Sequence, residues 1–64
     1  MNSYLVTIED GFYITRSVNI KAKSAMDAHK QVLFSELNED EEIKTIKNSS
    51  GELVYGANGF VVEV

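Results

Sequence analysis

Apolar and polar residues alternate in two successive stretches near the start of the chain, and this period of two constrains the fold more than any other feature. The first stretch contains Tyr4, Val6 and Ile8. The apolar members of the second stretch share one parity: Phe12, Ile14, Val18, Ile20 and Ala22. Because strict alternation is typical of strands with one buried face, the two stretches predict a β-hairpin around Glu9-Asp10-Gly11.

The turn of this hairpin decides which residues face each other. A two-residue Asp10-Gly11 turn would send the two apolar sets to opposite faces of the sheet. A three-residue loop with Gly11 in the left-handed region would instead pair Ile8 with Phe12 and Val6 with Ile14, and it keeps the apolar side chains on one face. We therefore expect the second register. It also places Arg16 near Tyr4.

A helix is predicted to begin at Ser24. Ser24 followed by Asp27 resembles a capping box with Asp in place of Glu, and the carboxylate complements the helix dipole. At 100° per residue, one broad apolar face follows from the positions of Ala25, Ala28, Val32 and Leu33, with His29 near its centre. The helix is expected to end near Leu37, and His29 is expected to be partly covered by the sheet.

Three further strands are predicted after the helix. Ile43 to Lys47, Glu52 to Tyr55 and Phe60 to Val64 are rich in β-branched and aromatic residues and are separated by two turn-forming segments. The last predicted strand has apolar residues at both odd and even positions, so both of its faces are apolar. This predicts a central position in the sheet or pairing with another subunit. The expected fold is a single α+β domain, residues 1–64, with an antiparallel sheet in β-β-α-β-β-β order and one amphipathic helix on one face.

The chain has 64 residues and no Cys, so the usual disulfide or thiolate-zinc stabilisation of a small domain is missing. Stability must come from packing or from self-association, which makes a homodimer an alternative. The first residues lack the pattern of a secretory signal, and no apolar run is long enough to cross a bilayer. The expected location is the cytoplasm, with no membrane partner.

Acidic residues cluster after the predicted helix. Five of the ten Asp and Glu residues lie within seven positions: Glu36, Glu39, Asp40, Glu41 and Glu42. Residues 1–35 contain four basic and three acidic residues, whereas residues 36–64 contain two basic and seven acidic ones. The spacing does not fit an EF-hand loop, so no metal site is predicted. A solvated loop that aids solubility and a contact surface for a basic protein are the two main interpretations.

A second candidate surface is apolar. Phe34 projects into the polar sector of the predicted helix beside Lys30, with Met26 and Leu37 on its flank. Aromatic and Met residues are enriched at protein interfaces. Either the chain's own acidic loop covers Phe34, or Phe34 belongs to an interface.

Chemistry for catalysis is sparse, with one His, no Cys, one Arg and no phosphate-binding Gly-rich loop. The sequence therefore predicts no enzyme, no cofactor and no direct nucleic-acid binding. The leading hypothesis is a noncatalytic module that binds a basic protein, of the accessory or inhibitory kind that phages and mobile elements encode. The alternatives are a homo-oligomer that assembles through the C-terminal strand and an acidic mimic of nucleic acid.

Overall fold

One antiparallel sheet and one helix make up the computed structural model, which describes residues 2–61. The elements in chain order are β1 (Asn2–Glu9), β2 (Thr15–Ala22), α1 (Ala25–Ser35), β3 (Glu42–Lys47), β4 (Leu53–Gly56) and β5 (Gly59–Phe60). The strands lie side by side in the order β2-β1-β3-β4-β5. Helix α1 packs on one face, over β2, β1 and β3. The predicted α+β class and element order are confirmed.

Strands β1 and β2 pair without interruption, with Ile8 opposite Arg16 and Tyr4 opposite Ile20. The predicted pairing of Ile8 with Phe12 is wrong by four residues, and the predicted position of Arg16 near Tyr4 is wrong as well. Because a shift by an even number keeps each side chain on the same face of the sheet, the predicted faces of the paired residues still hold.

The reason for the shift lies in the loop of residues 10–14. The carboxylate of Asp10 accepts hydrogen bonds from the N–H groups of Phe12 at 2.8 Å and Ile14 at 3.0 Å. The Asp10 N–H donates to the Ile14 carbonyl at 3.0 Å, and Tyr13 adopts the left-handed conformation, with φ of 64°, that we had expected of Gly11. An Asp side chain that satisfies nearby backbone N–H groups stabilises such a loop and delays the start of the strand.

Helix α1 begins as its sequence predicts. The Ser24 hydroxyl accepts a hydrogen bond from the Asp27 N–H at 3.2 Å, and the Asp27 carboxylate accepts one from the Lys23 N–H at 3.2 Å. These bonds satisfy backbone donors that have no partner within the helix. The helix ends at Ser35, with Glu36 as its C-cap, two residues before the predicted end at Leu37.

The core lies between the helix and the sheet. Its buried side chains are Tyr4, Val6, Ile8, Ala22, Ala25, Ala28, Val32, Ile46 and Val54. The small side chain of Ala28, which has no exposed area, lets the helix backbone come close to the strands. Leu33 was expected on this buried face but is 46% exposed, because it lies about 100° around the helix from Val32, at the margin of the contact.

The three strands after the helix form the predicted meander. The last of them, β5, contains Gly59–Phe60 and lies at the edge of the described sheet. Of the rest of the predicted last strand, Val61 lies outside β5 and its N–H donates to the Val54 carbonyl at 2.9 Å, whereas residues 62–64, on which the prediction of a central strand mostly depends, lie outside the described residues. Within residues 2–61, no helix has the length and apolar character needed to cross a membrane.

Candidate partner-binding surface

An acidic depression lies at one end of the sheet, where β1 ends and β3 begins. It brings together residues that are distant in sequence: Glu9, Asp10, Gly11, Glu39, Asp40, Glu41 and Glu42. The antiparallel pairing of β1 with β3 creates it, because this pairing sets Glu9 directly opposite Glu42. Four of the five acids singled out in the sequence therefore line one surface, and two carboxylates that the sequence did not indicate join them, Glu9 at the end of β1 and Asp10 directly after it.

The pairing of Glu9 with Glu42 is unfavourable in itself, since like charges directly opposite each other destabilise a sheet. Lys44 relieves part of this repulsion through a salt bridge to Glu9 at 3.3 Å. Such a bridge between partly exposed side chains contributes little to stability, about 0–1 kcal/mol. The two like charges of Glu9 and Glu42, at the end of β1 and the start of β3, therefore do not stabilise the fold.

Glu41 differs from its neighbours because it is engaged within the chain. Its two carboxylate oxygens accept hydrogen bonds from Nε and Nη2 of Arg16, both at 2.9 Å, and its side chain is only 9% exposed. Nη2 also donates to the Glu36 carbonyl at 2.6 Å, and the Asn38 N–H donates to Glu41 at 3.0 Å. A bidentate Arg and carboxylate pair is geometrically specific. Through these hydrogen bonds, Arg16 links β2 to the segment that follows the helix.

This pair predicts a pH dependence of stability. The hydrogen bond from Arg16, supported by the Asn38 N–H, lowers the pKa of Glu41 from 4.5 to about 2. A carboxyl group whose pKa is lower in the folded state stabilises the fold fully above its unfolded pKa and progressively less as the pH falls below it. We expect the free energy of unfolding to decrease as the pH falls from about 4.5 towards 2.

The variant Glu41→Gln isolates this contribution. Its free energy of unfolding should be lower than that of the wild type at pH 7, and it should change less between pH 4.5 and 2. Urea unfolding across that range measures both quantities. Glu39→Gln is the control, because it removes an exposed charge from the same segment and leaves the contact with Arg16 in place. Equal pH dependence in the wild type and Glu41→Gln would contradict the assignment.

The remaining acid of the predicted set, Glu36, lies at the C-cap of the helix and does not line the depression. Leu37, the expected flank of Phe34, is half-buried against the core. Its N–H donates to the Val32 carbonyl at 3.0 Å, which turns the chain towards the sheet. The structure therefore separates these two residues from the exposed surfaces to which the sequence assigned them.

Phe34 is uncovered. It is 84% exposed, Met26 is 55% exposed, and Lys30 on the same side of the helix is also exposed. Of the two sequence-based alternatives, cover by the chain's own acidic loop is wrong for the described residues. An exposed helix surface consisting of Met26, Lys30 and Phe34 remains.

A second exposed apolar group lies in the loop of residues 10–14, and the sequence pattern did not indicate its exposure. Phe12 is 79% exposed, Tyr13 is 84% exposed and Ile14 is 66% exposed, all in the loop of residues 10–14. Phe12 and Ile14 have the parity of the buried face, which predicted burial. Asp10 directly before Gly11 was the available signal, because an Asp at this point favours a loop closed by its own carboxylate.

His29 is half-buried, as expected, and forms an aromatic cluster that the sequence did not indicate. Its ring centroid lies 5.0 Å from that of Tyr55 and 5.5 Å from that of Phe60. Such distances are typical of favourable ring packing. Ser24 and Asp27, which precede His29 on the same helix, are used in capping.

Comparison with known protein families, with curated proteins and with solved structures finds no match to this chain. The surface must therefore be interpreted from its own chemistry. Among residues 2–61, no three carboxylate or imidazole groups converge in a way that could hold a metal ion. What the acidic depression offers is negative charge at the surface, beside exposed aromatic side chains.

Proposed function

We propose that this protein is a noncatalytic module that binds a basic surface of another protein through the acidic depression and an adjacent apolar patch. The observation that carries the proposal is the convergence of carboxylates from two separate segments, Glu9-Asp10 and Glu39 to Glu42. A concentrated negative potential steers a basic partner during association and fixes its orientation. Glu41 supports the surface from within, and the exposed carboxylates of Glu39, Asp40 and Glu42 face the partner.

The arrangement of charge supports this proposal over a purely solubilising role. Solubility needs charge that is spread over the surface, with both signs interspersed. Here Glu9 and Glu42 oppose each other directly across two strands, which destabilises the sheet. A binding surface explains why the carboxylates are concentrated at this end.

Mapping by nuclear magnetic resonance tests the proposal. The chain, expressed with an affinity tag in its source cell, is used to purify bound proteins, and the main one is titrated into the ¹⁵N-labelled chain. We expect the largest chemical-shift changes at residues 9–14 and 39–42. Changes confined to the opposite end of the sheet, around residues 48–51, would contradict the proposal.

A homo-oligomer formed through the C-terminal strand is the second candidate. The observation that favours it is the position of β5 at the edge of the described sheet, where a strand can pair with another chain. The mass in solution decides between the two. A strict monomer at high protein concentration removes this candidate and leaves the first untouched.

A further inference from the structure

The loop of residues 10–14 presents three consecutive exposed apolar side chains, Phe12, Tyr13 and Ile14. Runs of this kind are unfavourable for an isolated domain, since they leave apolar surface in water and promote aggregation. A tighter hairpin with the register expected from the sequence would have turned Phe12 and Ile14 to the buried face. The chain instead adopts a register that leaves these side chains in solvent.

The loop is held in this conformation by its own hydrogen bonds. The Asp10 carboxylate accepts from two loop N–H groups, and the Tyr13 N–H donates to the Asp10 carbonyl at 3.2 Å. Tyr13 has a φ of 64°, which is strained for a bulky residue and is found preferentially at functional positions. A loop that is already ordered loses little conformational entropy when a partner binds, and this favours affinity.

The charges at the base of the loop indicate what it contacts. Glu9 is the last residue of β1, Asp10 is the first residue of the loop, and the acidic depression lies beside the loop. A second copy of this chain would bring the same negative charges together, and an anionic membrane would also be repelled. A protein pocket that is apolar inside and basic at its rim is complementary to both features.

We propose that Phe12, Tyr13 and Ile14 are the apolar anchor of the interface and insert into a pocket of the partner protein whose rim carries Lys or Arg. This proposal rests on the function proposed above and identifies the adjacent apolar patch as the loop, not the helix surface of Met26, Lys30 and Phe34. Aromatic side chains that fill a desolvated pocket account for a large part of the affinity of many interfaces.

A photo-crosslinking experiment with matched positions tests it. p-Benzoylphenylalanine is placed at position 12 in one variant and at position 34 in another, and each is irradiated in a lysate of the source cell. The crosslinked protein is purified, and its dissociation constant is measured with the wild type, with Phe12→Ser/Tyr13→Asn and with Phe34→Ser. Asn tolerates the left-handed conformation, so the loop backbone is kept. Vesicles of phosphatidylcholine, with and without phosphatidylserine, are tested by co-sedimentation.

We expect one protein to crosslink at position 12 and not at position 34. Its affinity should fall by roughly 30-fold or more in the loop double variant, as for a hot spot, and should be unchanged in Phe34→Ser. Crosslinking at position 34 alone, crosslinking only between copies of the chain, sedimentation with vesicles, or no crosslink above background would overturn the proposal. Unchanged affinity in a folded loop variant would also overturn it.

The two proposals fail in distinguishable ways. If the loop variant binds normally while neutralising Glu39 and Glu42 slows association, the acidic surface is correct and the loop is not the anchor. If neither the loop variant nor the neutralisation of Glu39 and Glu42 affects binding, the proposed function is wrong. Ile14→Ser, at the end of the loop, provides an independent variant should the double variant lose its fold.

Discussion

The variant Ile46→Ala is expected to lower the free energy of unfolding by about 2–5 kcal/mol. Ile46 has no exposed area and lies at the centre of the sheet, opposite Val6 on one side and Tyr55 on the other. Truncation removes buried apolar surface and leaves a cavity that the packed neighbours fill only in part. The loss is a large share of the roughly 5–15 kcal/mol that stabilises a typical domain.

The chain offers a matched control for this variant. Ile14→Ala makes the same chemical change at a loop position that is 66% exposed, and its effect should stay within about 0.5 kcal/mol. Urea unfolding followed by circular dichroism measures both variants. Equal losses would mean that Ile14 is packed against the domain, which would contradict the exposed loop on which the proposed anchor depends.

The sequence predicted the layout of the fold well, because the layout depends on local patterns. Alternation in β1 and β2, the cap at Ser24 and the small side chains of Ala25 and Ala28 each have one structural interpretation. The register of the first hairpin could not be predicted from alternation. The expected and observed pairings differ by four residues, an even number, and therefore bury the same face of each paired strand.

The candidate surface was predictable only in part, for a related reason. The carboxylates at positions 39–42 are adjacent in sequence and visible at once, whereas Glu9 joins them only through the pairing of β1 with β3. The contact between Arg16 and Glu41 spans 25 residues and depends on the observed register. Long-range contacts of this kind follow from topology, which local composition does not determine.

Neutralising the acidic depression is expected to slow association with the partner by about tenfold or more at low salt. Glu39→Gln/Glu42→Gln removes two charges that line the depression and keeps the contact between Arg16 and Glu41. Electrostatic steering raises association rates by roughly 10–10³-fold and weakens as salt screens the charges. The fold should remain intact, since removing the charge of Glu42 also relieves its repulsion with Glu9.

A control variant separates local charge from net charge. Glu36→Gln/Glu52→Gln removes the same number of charges from exposed positions outside the depression. Its association rate should stay close to that of the wild type. If both variants slowed association equally, the net charge of the chain would explain the effect and the depression would have no special role.

The most direct test of the account is the association rate of the captured partner with the wild type and with these two variants, measured by stopped flow over a series of salt concentrations. We predict a steep decrease of the wild-type rate with salt, a lower and flatter profile for Glu39→Gln/Glu42→Gln, and a near wild-type profile for the control. Identical profiles for all three proteins would contradict the assignment of the acidic depression as the binding surface.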